Sequence, residues 1–202
     1  VCSSDLAGRV TFTTVTGNII EYGRNSNSGF LELSSAELQT VTASVLQLGT
    51  AAKANSIFAS DITTLTTVNT LYIENATAAT QNVGASVAVS NLVVESGGQI
   101  SFDQAVNNID QIAFSATGAG NVRYTGTGTI TVTSLEGVTG VSSTNGDVEI
   151  SSSDVVVDQI VNARSDQSVE ITATNTVDLN AAVMSTSLST GSAGEDRKST
   201  RL

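Results

Sequence analysis

Short alternating apolar pairs recur along this chain, and their spacing restricts its fold more than any other feature. They are Leu46 and Leu48, Leu71 and Ile73, Leu92 and Val94, Ile112 and Phe114, Ile130 and Val132, Val148 and Ile150, and Val169 and Ile171. Their first members stand 25, 21, 20, 18, 18 and 21 residues apart. Small or turn-forming residues follow each pair, as in LQLGTAA, LYIENAT and LVVESGG. One or two further short segments, such as SIFAS and ITTLTTV, lie between successive pairs. Each interval therefore reads as about three strands of four or five residues separated by Gly, Asn, Ser or Asp turns.

A period near 20 residues with three strands per period fits one coil of a parallel β-helix, in which every strand pairs with its equivalents one coil above and below. Seven or eight such coils over residues 7–194 would stack to about 35 Å at ~4.8 Å per row. A narrow interior explains the aliphatic bias and the absence of Trp. Corner residues Asn75, Asn145 with Gly146, and Gly97 with Gly98 are expected to take the left-handed backbone of tight turns. The alternative fold is an antiparallel β-sandwich, whose strands usually run longer at spacings of about 8–12 residues. One segment points elsewhere: Ser34 and Glu37 have capping-box spacing. The β-branched alternation after it favours a strand through Glu37 to Val41.

Ser and Thr make up roughly a quarter of the chain, Val is abundant and Pro is absent, which favours pleated surfaces. At 40% hydrophobic residues the chain can bury enough apolar surface to fold. The 19 acidic and 8 basic residues give a net charge of −11. So few cations cannot neutralise a row of phosphates, so nucleic acid and anionic membrane are not expected partners. No apolar run reaches the ~20 residues that a membrane-spanning helix needs.

The two ends read differently from the rest. VCSSDL at residues 1–6 and DRKST within residues 195–202 can be encoded by complementary strands of one DNA stretch, GTGTGCTCTTCCGATCTN. This inverted pair resembles a sequencing-library adapter translated at both ends of an insert, so residues 1–6 and 195–202 are expected to be artefactual tails flanking a 7–194 repeat segment. The tails carry Cys2, the only cysteine. Without it, a disulfide framework and a thiol nucleophile are excluded. The absence of His excludes a Ser-His-Asp triad.

LELSSAELQTVTASVLQLGT (Leu31 to Thr50), followed by NTLYIENA, resembles the repeat region of filamentous-haemagglutinin-like, β-strand-repeat bacterial adhesins and other two-partner-secreted proteins. The resemblance extends over about Arg9 to Ser185, with LSxxEL…LxLG as its most specific unit. It implies a right-handed β-helix shaft, secretion to the bacterial cell surface through an outer-membrane partner, and attachment to host surfaces, glycans or other cells by parts of the parent protein outside this segment.

β-Helices also carry polysaccharide lyases and glycosidases, whose catalytic groups are carboxylates. Asp103 and Asp110 flank one expected corner, and Asp154 and Asp158 flank a VVV strand. Neither pair has a Lys nearby to stabilise developing charge, so solvated turn residues are the expectation. GGQISFD (Gly97 to Asp103) has the wrong spacing for a calcium-binding nonapeptide. GAGNVRYTGTG (Gly118 to Gly128) lacks the spacing and the following helix of a phosphate-binding loop. Asn75 to Thr77 matches a glycosylation sequon. The expectation is a non-enzymatic chain with no catalytic, cofactor-binding or metal-ligating residue. The alternatives are a carbohydrate-active β-helix enzyme and a glycan-binding sandwich module.

Overall fold

The structure is a computed structural model that describes residues 2–4, 8–14, 20–22, 31–51, 56–59, 65–164, 167–185 and 187–192. The first part contains β1 (Cys2–Ser4), β2 (Arg9–Phe12), β3 (Ile20–Tyr22), β4 (Leu31–Leu33), α1 (Ser35–Gln39), β5 (Ala43–Leu48), β6 (Ser56–Ala59), β7 (Val68–Asn75), β8 (Ala78–Gln81), β9 (Ala88–Ser96) and β10 (Ile100–Phe102). The second contains β11 (Asn108–Ala119), β12 (Val122–Thr125), β13 (Thr129–Val132), β14 (Ser134–Leu135), β15 (Val138–Thr139), β16 (Val141–Asn145), β17 (Val148–Val157), β18 (Val161–Ala163), β19 (Ser168–Leu179), β20 (Val183–Met184) and β21 (Ser187–Ser192).

These strands stack as a parallel β-solenoid of about six turns. Among the described residues only β1–β2 and β14–β15 pair antiparallel, so the sandwich alternative is set aside. One column runs Val10, Leu46, Leu71, Leu92, Ile112 in direct register, as the apolar pairs predict. A second runs Ala79, Ile100, Val122, Val148, Val169. Alternate residues of both columns point inward and are fully buried, Leu71, Leu92, Ile112, Ile100 and Val148 among them. Their exclusion from water, roughly 1.5–3 kcal/mol per large aliphatic side chain, drives the stacking.

The steps of 18 residues are not coil periods. Ile112 pairs with Val132, not Ile130, and Val148 belongs to the second column. Some strands also exceed the expected four or five residues, because they run through a corner without breaking. β17 pairs with β12 through Val148–Ser151 and with β13 through Asp154–Val157, with a register shift between Ser152 and Asp154. The strand expected across ITTLTTV begins at Val68, and residues 60–64 lie outside the described residues.

Two further expectations are corrected. Residues 37–41 do not form a strand: α1 forms, with Ser34 as N-cap. The Glu37 backbone N–H donates to the Ser34 hydroxyl (3.3 Å), and the Ser34 backbone N–H donates to the Glu37 carboxylate (2.9 Å). This reciprocal pair satisfies two otherwise orphaned donors, and Leu38, 1% exposed, joins the core. Second, Asn75, Asn145, Gly97, Gly98 and Gly146 are not left-handed: none of them is among the described residues with positive φ. Gly97 is required instead by close approach. A Cβ there would lie 1.9 Å from the Ala76 carbonyl oxygen.

Aromatic residues are few but central. Phe102, Phe114 and Tyr124 are all essentially buried, with ring centroids 6.3 and 6.4 Å apart in sequence of contact. Of the two expected tails, Cys2–Ser4 pairs with β2, and residues 195–202 lie outside the described residues.

Candidate functional site

Outward-facing side chains on a solenoid form ladders, because each coil places its equivalent residue one row along. Chemistry on this scaffold therefore depends on register. The second column brings Arg123, Glu149 and Glu170 onto successive rows. With Asp103, Thr125 and Ser151 they line a hollow of about 290 Å3. The Arg123 guanidinium donates to the Glu149 carboxylate at 3.0 Å, and both side chains remain about two-fifths exposed. Glu149 and Glu170 are direct neighbours across the β17–β19 ladder. Three carboxylates and one guanidinium leave a negative surplus, which disfavours an acidic polysaccharide there.

Asp110 lies elsewhere. It lines a groove of about 780 Å3 with Ser44, Thr67, Asn69, Ser90 and Asn108. This groove presents hydroxyls and amides with one carboxylate. Asp103 and Asp110 thus face different hollows and do not converge as a catalytic pair would.

Asp154 and Asp158 each bind the next coil. Asp154 accepts from the Thr176 hydroxyl at 2.6 Å and from the Asn175 amide at 3.3 Å. The Thr176 bond, and secondarily the Asn175 bond, hold its carboxyl below the usual range. Asp158 accepts from the Asn180 amide at 2.9 Å. Both residues belong to the stacking. Asn75 of the sequon is 2% exposed and its amide donates to the Ala78 carbonyl, so its side chain is not presented to solvent. Gly118 to Gly128 runs through the end of β11 and all of β12 without any helix.

Sequence reading missed the Arg123–Glu149–Glu170 ladder. Its signal is the 26- and 21-residue separation between members, legible only once Val122, Val148 and Val169 are recognised as one column. Among the described residues no group of three or more His, Cys, Asp or Glu is placed to hold a metal ion. No described helix is long and apolar enough to cross a membrane. No protein-family model, no curated protein and no solved structure matches the chain.

Proposed function

We propose that the chain is a structural shaft segment of a large secreted or surface-exposed bacterial adhesin or exoprotein, which carries a distal attachment region away from the cell. The observation that carries this reading is the in-register parallel stacking from β2 to β21. About six turns at ~4.8 Å each span roughly 29 Å, and added coils lengthen such a column without altering its cross-section. The LSxxEL…LxLG unit supports the adhesin class, and with it export through an outer-membrane partner. Attachment to host surfaces, glycans or other cells is assigned to other parts of the parent.

A register-preserving deletion tests the proposal. Val89 and Ile109 are equivalent positions on adjacent rows, so removing residues 89–108 takes out one period. A shaft tolerates this: the parent, displayed on the bacterium, keeps its adherence, and its extension by small-angle scattering shortens by about one row, ~4.8 Å. Loss of adherence with the β-rich fold intact would overturn the reading. The carbohydrate-active alternative belongs at the hollow of Asp103, Glu149 and Glu170. It predicts polysaccharide cleavage by the intact protein that Glu149→Gln and Glu170→Gln abolish.

A further inference from the structure

Solenoid coils ordinarily touch only their immediate neighbours, and one segment of this chain departs from that rule. In β11 a single residue, Ala113, separates Ile112 from Phe114. Their partners on the next row, Val132 and Val141, are separated by residues 133–140. The inserted residues leave the wall as the hairpin β14–β15. Its neck is closed where the Gly140 N–H donates to the Thr133 carbonyl at 2.9 Å. Both turn residues, Glu136 (φ 50) and Gly137 (φ 90), have positive φ, as tight hairpin turns matched to strand twist require.

The hairpin lies back along the outside of the column. The neighbours of Tyr72, Val93 and Ala113 point into the main core, so these three face outward, on consecutive rows. They are nevertheless buried at 7%, 0% and 0% exposure. Together with Val45 and Val138 they form a second apolar cluster, with Leu135 packed against it. At the tip the Glu136 carboxylate meets the Arg9 guanidinium at 2.6 Å. That guanidinium also donates to Gln47 at 3.0 Å and lies 5.4 Å from the centre of the Tyr72 ring. Gln47 in turn donates to Glu74 at 2.9 Å. Strands β5, β7, β9 and β11 lie between β2, which holds Arg9, and the row from which the hairpin leaves.

We propose that β14–β15 is a lateral latch, which couples the β2 row directly to the row of β13 and β16 and makes β2 through β16 open as one unit. Nearest-neighbour stacking alone would let the N-terminal rows open one at a time, since each row is held only by its own interfaces. The latch ties their opening to release of the hairpin, whatever the parent protein binds.

Hydrogen exchange on the full chain, resolved by segment, tests the proposal through Arg9→Glu, Glu136→Arg and the double variant. Either single change reverses one charge at the tip and leaves every wall strand intact. Each is expected to speed exchange at least tenfold in β5, β7 and β9 alike, with β19 unchanged. The double variant restores the ion pair with reversed sense and is expected to regain most of the protection. A second variant, Leu135→Ser, removes the apolar contact without touching charge, and the same segments should respond. The proposal fails if exchange changes only at residues 8–12 and 133–140. It fails equally if the double variant is no better protected than the single ones.

Discussion

The Asp147 carboxylate accepts two hydrogen bonds from Ser168 of the next coil, one from its backbone N–H at 2.8 Å and one from its hydroxyl at 2.7 Å. The Asp147 backbone N–H donates to the Asn121 side chain of the preceding coil at 3.0 Å. Three coils are thus tied at one corner through Asp147, by its backbone N–H on one side and on the other by a carboxylate that accepts both Ser168 bonds more strongly when ionised. The Ser168 backbone N–H, then its hydroxyl, hold the Asp147 carboxyl below the usual aspartate range, with Arg123 adding to the effect. Asp154 is lowered in the same way by Thr176 and Asn175.

Acid sensitivity follows from these bonds. A carboxyl whose folded pKa lies below its unfolded value contributes stability that is present above the unfolded pKa, about 3.9 for Asp, and lost as pH falls through the folded one. The column should therefore be stable from neutral pH to about pH 4 and weaken below it. Denaturant unfolding at pH 7 and pH 3 checks this. Asp147→Asn combined with Asp154→Asn should be less stable at pH 7 and lose less on acidification. If both proteins lose the same amount, these carboxylates are not the source.

Core truncation should be costly on every row of the first column. Leu92 is fully buried between Leu71 and Ile112, and wall strands on both sides limit collapse into a void. Leu92→Ala is expected to cost about 2–5 kcal/mol, read from the denaturation midpoint. A cost below about 1 kcal/mol would mean that this row is not packed as described.

Two glycines are expected to respond differently to alanine. A Cβ at Gly118 would lie 2.0 Å from the Gly97 carbonyl oxygen, whereas one at Gly128 meets nothing within 4 Å but must accept φ +78. Gly128→Ala should cost about 1–2 kcal/mol of backbone strain. Gly118→Ala forces two coils apart at a corner and should cost more. Equal melting temperatures for the two variants would contradict the close approach.

The first column could be read in advance because Leu46, Leu71, Leu92 and Ile112 sit on uninterrupted coils, where sequence spacing equals structural period. That equality fails once a coil carries an excursion. The step from Val10 to Leu46 contains β4 and α1, and the step from Phe114 to Val141 contains the β14–β15 hairpin. Ile130 and Val148 keep a spacing of 18 while leaving the Ile112 position, Ile130 by two residues along β13 and Val148 by passing to the second column, so periodicity alone could not place them. At α1 the capping box was visible at Ser34 and Glu37 and was outweighed by β-branched residues further on. The Arg123–Glu149–Glu170 ladder needed the register of a column that the apolar pairs only partly trace.

Tyr124 supplies the sharpest test of the interior. Its ring packs against Phe114 and its side chain is almost wholly buried, yet its hydroxyl has no hydrogen-bond partner among the described residues. Burial, and secondarily the charge of Asp110, push its ionisation well above the ordinary tyrosine value, so the phenol is protonated at neutral pH. A buried hydroxyl without a partner costs about 1–3 kcal/mol of lost hydration. Tyr124→Phe removes that cost and keeps the ring, so it should leave the melting temperature unchanged or raise it. Asn107 is the contrasting case: its amide donates to the Phe102 and Thr125 carbonyls and to Gln81, and its oxygen accepts from Val87 and Gln81. Asn107→Leu strands all of these groups and should cost about 2–4 kcal/mol at comparable volume. Calorimetry on the two variants separates the cases by sign, because a polar atom stabilises this interior only where the stacked coils give it a partner.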